Sequence, residues 1–157
     1  MIKVINGNIL NASENIICQQ VNCKKVMGSG LAKQIRTKYP EVYQSYKKFC
    51  ESEKELLGEV NSVVVQDKAT NRTYIILNIF GQDGYGRDKQ YTDYNALKRA
   101  FKRIYDNLNI SGMPFYGMSI AIPYNFGCGL AGGNWNIVYK IIEEIFQDYD
   151  VTIYKFQ

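Results

Sequence analysis

The chain has 157 residues, enough for one domain with a sizeable core and too few for two comfortable ones. Hydrophobic residues make up 46% and charged residues 22%, an ordinary soluble composition, and no apolar run approaches the roughly 20 residues that span a bilayer. The formal charge of +4 suits an anionic ligand, while the complete absence of histidine removes Ser-His-Asp and Cys-His catalysis, imidazole acid–base chemistry and imidazole metal sites.

The N-terminus "MIKVINGNIL" lacks a signal-peptide layout, so a cytosolic location is expected; its alternation, ended by Gly7, reads as an opening strand. "NIICQQVN" is a second apolar run, followed by the polar loop "CKKVMGSG". "GLAKQIRTKYP" has Leu31, Ile35 and Tyr39 at helical spacing and is interrupted by Pro40; "EVYQSYKKFCESE" resumes that spacing through Val42, Tyr46 and Phe49. "EVNSVVVQ" and "RTYIILNIF" are β-branched runs separated by a short "DKATN" connection. After the loop "GQDGYGRDKQ", the segment "YTDYNALKRAFKRIYDNL" is an amphipathic helix with Tyr94, Leu97, Phe101, Ile104, Tyr105 and Leu108 on one side. "MSIAI" is a strand, "WNIVYKIIEEIF" a helix and "DVTIYKF" a closing strand.

Strands alternating with helices predict a three-layer α/β/α sandwich over 1–157, with a mixed, mostly parallel central sheet. Ligands in such folds sit beyond the carboxyl ends of the strands, which singles out loops 22–30, 78–90 and 123–134. The lysines and arginines fall at polar helix positions, and a nucleic-acid footprint would need a denser basic stripe. Cys18, Cys23, Cys50 and Cys128 form no C-x-x-C pair, so neither a disulfide framework nor a metal site is expected, and no cofactor is called for.

Gly127, Gly129 and Gly132 spell G-x-G-x-x-G. A dinucleotide fingerprint would lie in the first βαβ unit with an acidic residue closing the second strand, whereas here one strand remains and Asp150 precedes it. No G-K-[S/T] follows, which excludes a Walker loop. What survives is the physics: glycines between a strand and a helix let backbone N–H groups approach an anion, the helix N-terminus adds partial positive charge, and Asn134 can cap that helix. "NCKKVMGSGLAKQI" has the same design. Two such loops on one side of a sheet can grip a diphosphate from both flanks; the alternative is two turns whose glycines only satisfy positive φ.

"GNIL", "QQVNCKKVMGSGLAKQIRTKYPEVYQSYKKFC" and "IPYNFGCGLAGGNW" resemble the macro domain, the module that binds ADP-ribose. Their order covers nearly the whole chain. The pattern is most similar to the branch with terminal ADP-ribose protein glycohydrolases, the antitoxin that reverses DNA ADP-ribosylation and a yeast ADP-ribose 1″-phosphate phosphatase. The resemblance implies that Asn8, where most macro domains have Asp, and Ile9 line the adenine pocket, with Phe156 as its wall. It implies a diphosphate and distal ribose bracketed by two loops. The first comprises Met27, Gly28, Ser29, Gly30 and Leu31, with Gln20 and Asn22 beside it. The second comprises Pro123, Asn125, Phe126, Gly127, Cys128, Gly129 and Leu130.

The same resemblance bears on catalysis. Glycohydrolases of this branch carry a lysine where this chain has Gln82, and one carries an acid at Ala131; a neutral amide cannot attack the ribose, which argues against lysine-dependent deglycosylation. The phosphatase histidine corresponds to Gln19. Asp83 and Asp88 remain as candidate bases, with solvated turn carboxylates as the alternative reading. Cys128, a nucleophile by type, is assigned to loop packing. A water held between the substrate phosphate and a glycine loop is the route left open. The expected function is binding of ADP-ribose with hydrolysis of a small derivative, the 1″-phosphate or an O-acyl ester. The alternative is a module that sequesters ADP-ribose or reads it on a modified protein.

Overall fold

The computed structural model describes residues 1–156. In chain order they form β1 (Ile2–Asn6), a short 3-10 turn (Ile9–Asn11), β2 (Ile16–Val21), α1 (Gly30–Lys38), α2 (Pro40–Ser52) and β3 (Val60–Gln66). There follow β4 (Thr73–Phe80), α3 (Tyr94–Asn109), β5 (Ile120–Pro123), α4 (Trp135–Ile145) and β6 (Val151–Lys155). Every strand and helix read from the sequence is present; the 3-10 turn is an addition too short to show a period.

Local rules explain the boundaries. Tyr39 precedes a proline, is held at φ −129° and ψ 80°, and so ends α1, while Pro40 opens α2 where its missing N–H costs nothing. Asp93 caps α3 by accepting from the Ala96 N–H at 3.0 Å. That helix buries Ala96, Leu97, Ala100, Phe101, Ile104 and Leu108, each large apolar side chain contributing about 1.5–3 kcal/mol.

The strands form one sheet in the order β1-β6-β5-β2-β4-β3, parallel throughout except for β3, which pairs antiparallel with β4. Side-chain alternation along β2 serves two cores. Ile16 and Cys18 pack with α3 and α4, and Ile17 and Val21 pack with α1 and α2. A row of amides crosses the second face. Gln19 Nε2 donates to Asn78 Oδ1 (2.7 Å), Asn78 Nδ2 to Asn61 Oδ1 (2.9 Å) and Asn61 Nδ2 to Ser45 Oγ of α2 (3.3 Å). β2 lies between β5 and β4, and its loop leads to helices on one face while theirs lead to helices on the other. A crevice therefore opens at its carboxyl end.

Candidate ligand-binding site

The crevice holds a cavity of about 730 Å³, walled by the ends of β2 and β5 and by parts of the loops after β2, β4 and β5. Such a volume takes a ligand of nucleotide size.

The loop after β2 is organised by Asn22, which is 7% exposed. Its Nδ2 donates to the Val26 carbonyl at 2.8 Å, and its Oδ1 accepts from the Lys24 N–H at 2.9 Å and the Tyr46 hydroxyl at 2.8 Å. The expected ribose contact is thus a residue whose amide is already engaged within the protein. Met27 is buried against the core and forms part of the cavity wall. Gly28, Ser29, Gly30 and Leu31 reach the cavity. Ser29 occupies the cap position of α1 without a side-chain cap bond, and Gly30 begins the helix at φ +57°, a conformation that favours glycine. Among the described residues, the N–H groups from Gly28 to Ala32 have no partner, so the positive end of α1 is directed at whatever fills the cavity.

The loop after β5 supplies Pro123, Asn125, Phe126, Gly127, Gly129 and Leu130. Asn125 lies at φ +62°, which asparagine tolerates, and Gly127 at φ +71°. Phe126 is buried against Phe101, with ring centroids 5.5 Å apart. The expectation that this loop also offers a helix N-terminus is corrected. Helix α4 does start at Trp135 and Asn134 does cap it, as read from the sequence, by accepting from the Asn136 N–H at 2.9 Å, but neither residue lines the cavity. Cys128 is turned away from the cavity wall, with its thiol directed to the Phe126 carbonyl at 3.2 Å; burial pushes the thiol up to about 11, which leaves no thiolate at neutral pH.

Gln20 and Gln82 meet on the cavity wall, Gln20 Nε2 donating to Gln82 Oε1 at 2.8 Å, and Gln82 Nε2 donates to the Gly84 carbonyl at 2.8 Å. Asp83 and Asp88 do not line the cavity. Asp83 pairs with Lys24 at 3.5 Å. Asp88 accepts the Tyr91 hydroxyl at 2.6 Å, and that hydrogen bond holds its carboxyl below the usual range, which weakens it as a base. Several wall residues escaped the sequence reading, among them Tyr85 and Arg87. Arg87 has no carboxylate partner among the described residues, and a guanidinium free at a cavity mouth is suited to a phosphate. Both lie in an irregular polar loop, where no periodicity marks a residue as facing inward.

The residues expected at the adenine end lie outside this cavity wall. Asn8 caps the 3-10 turn by accepting from the Leu10 N–H at 3.0 Å, so the oxygen expected to meet an adenine amino group already has one donor. The Ile9 side chain is core, and Phe156 is 74% exposed after β6.

The Macro domain family model matches residues 18–142. The chain belongs to the macro domain family. It is 28% identical over 157 residues to the DNA ADP-ribosyl glycohydrolase of Mycobacterium tuberculosis, an alignment covering 98% of this chain and 42% of that protein. The chain therefore spans less than half the length of the curated relatives that it matches end to end. Among solved structures, the macrodomain of Thermus aquaticus DarG superposes with a TM-score of 0.78 at 25% identity, covering 98% of this chain and 97% of that one. The macrodomain of Mycobacterium tuberculosis DarG gives 0.74 at 28% identity, with the same coverage.

Proposed function

We propose that this macro domain binds ADP-ribose through its diphosphate and hydrolyses a small derivative, the 1″-phosphate or an O-acyl ester, by attack of a loop-held water. One observation carries the reading. Unpartnered N–H groups of two glycine loops line a single cavity, and an unpaired arginine stands at its wall. A diphosphate satisfies both sets at once, each charge-assisted bond contributing about 1.5–3 kcal/mol. The names of the curated relatives support the ADP-ribosyl group as the recognised chemistry.

Lysine chemistry is not part of this proposal, because Gln82 stands at the corresponding position and is neutral. Water attack would draw its rate from oriented N–H groups and the substrate's own phosphate. A second reading, a binding module without turnover, is favoured by the engagement of Asp83 with Lys24 and of Asp88 with Tyr91.

The test is calorimetric titration with ADP-ribose, ADP and AMP, followed by turnover assays on the same sample. The substrates would be ADP-ribose 1″-phosphate, O-acetyl-ADP-ribose and ADP-ribosylated protein and DNA. Tight binding of ADP-ribose with release of phosphate or acetate is the expected result. Binding without turnover supports the second reading, and absence of heat with all three nucleotides refutes the ligand assignment.

A further inference from the structure

We propose that Thr92 is a positioning residue that sorts the polarity of the loop after β5, directing its N–H groups at the ligand by fixing its carbonyls elsewhere. The inference rests on the reading of this loop as an anion cradle. Thr92 is 4% exposed and does not line the cavity. Its Oγ1 accepts from Gln20 Nε2 at 3.0 Å and donates its own proton to the Gly127 carbonyl at 2.6 Å. Because the Gln20 amide supplies a proton to that oxygen, the hydroxyl proton is left to point at Gly127.

Several other carbonyls of the loop are also engaged within the protein. Gly127 O also accepts from the Gly133 N–H at 2.9 Å, and Gly129 O accepts from the Gly132 N–H at 3.1 Å. Ala131 O takes the N–H groups of Tyr91 and Thr92 at 2.7 and 3.1 Å. By contrast, the N–H groups of Gly127, Gly129, Leu130 and Ala131 have no partner among the described residues. The carbonyls of Gly127, Gly129 and Ala131 are spent on protein while these N–H groups are left for a ligand, an arrangement suited to anions. Without the Thr92 bond the Gly127 carbonyl is held by the Gly133 N–H alone, which leaves that peptide freer to tilt its partial negative charge toward a phosphate.

The lock also accounts for two glycines. A Cβ at Gly81 would lie 2.3 Å from Gln20 Oε1, and one at Gly127 would lie 2.8 Å from the same atom. That oxygen is buried without a hydrogen-bond partner among the described residues. The Gln20 amide is therefore wedged where its nitrogen can reach Thr92, although its oxygen gains nothing there.

Thr92→Ser and Thr92→Ala both remove the methyl group, so their difference isolates the hydroxyl. Calorimetry with ADP-ribose on both variants, beside melting temperatures without ligand, tests the proposal. Thr92→Ser is expected to bind within about twofold of the unaltered protein and Thr92→Ala roughly tenfold more weakly. Amide exchange at Gly133, whose N–H is bonded to the Gly127 carbonyl, is expected to quicken in Thr92→Ala alone. Equal affinities of the two variants overturn the proposal even if both melt early, since a packing role moves them together. If Thr92→Ala does not fold, Thr92→Val replaces it, with the same expected loss. Failure of the unaltered protein to bind ADP-ribose refutes the underlying ligand reading instead.

Discussion

The loops after β2 and β5 bracket one cavity but are built in opposite ways. The first is stapled from within, by an asparagine whose amide bonds its own loop and the α2 tyrosine, and it delivers the uncapped start of a helix. The second is held from outside, by Tyr91 and Thr92 of a neighbouring loop, and its helix begins too late and too well capped to contribute. An anion can thus be met by a helix terminus on one flank and by bare loop amides on the other. Similar glycine patterns in a sequence do not imply the same source of positive potential.

The comparison breaks most easily at Asn22. Replacing it with leucine leaves the Lys24 N–H and the Val26 carbonyl without their partner and takes one of two acceptors from the Tyr46 hydroxyl, which keeps the residue 22 carbonyl. A loss of about 3 kcal/mol in denaturant unfolding is expected, together with loss of ADP-ribose binding. On the other loop, two glycines separate structure from function. A Cβ at Gly133 would come within 2.5 Å of the Gly127 carbonyl oxygen, so Gly133→Ala is expected to cost about 2 kcal/mol of stability. A Cβ at Gly129 meets nothing within 4 Å, so Gly129→Ala should leave stability within about 0.5 kcal/mol while its methyl intrudes on the ligand and weakens binding. Equal melting of the two variants would contradict the close approach of Gly133 to the Gly127 carbonyl.

Arg87 supplies a smaller effect. Arg87→Ala is expected to lower ADP-ribose affinity about tenfold, to flatten its salt dependence and to leave the melting temperature unchanged. The smallest effect concerns the two loop thiols. Burial, reinforced by the Asp83 carboxylate, pushes Cys23 up to about 12, and burial alone pushes Cys128 up to about 11, from an ordinary value of 9.0. Raised values in the folded state mean stability that is intact below pH 9 and lost as pH rises through the folded values. Unfolding followed from pH 8 to 11 should show this decline, and Cys128→Ser should lessen it. At pH 8 iodoacetamide should react slowly with both thiols.

The layering of helices on a mostly parallel sheet was open to inference because apolar runs and clear helical faces recur in alternation, as in the α3 stripe from Leu97 to Leu108. The glycine loops were visible through their composition. The wiring between them was not: Gln20 and Thr92 are 72 positions apart, and Thr92 and Gly127 are 35 apart, so no local pattern announces their contact. Residue type misled in the opposite sense at Asp83 and Asp88. Both have the chemistry of a base, but Lys24 and Tyr91 occupy them away from the cavity wall. The start of α4 at Trp135 and its Asn134 cap were legible in the sequence; that this terminus lies off the cavity wall was not.

The contact between Gln20 and Gln82 constrains what position 82 can hold. Gln82 Oε1 accepts a proton from Gln20 Nε2, whereas a lysine ammonium has only donors to offer. The single substitution Gln82→Lys would set donor against donor and loosen Gln20, and with it Thr92 and the Gly127 carbonyl. That change alone is therefore expected to lower both the melting temperature and ADP-ribose affinity without conferring glycohydrolase activity.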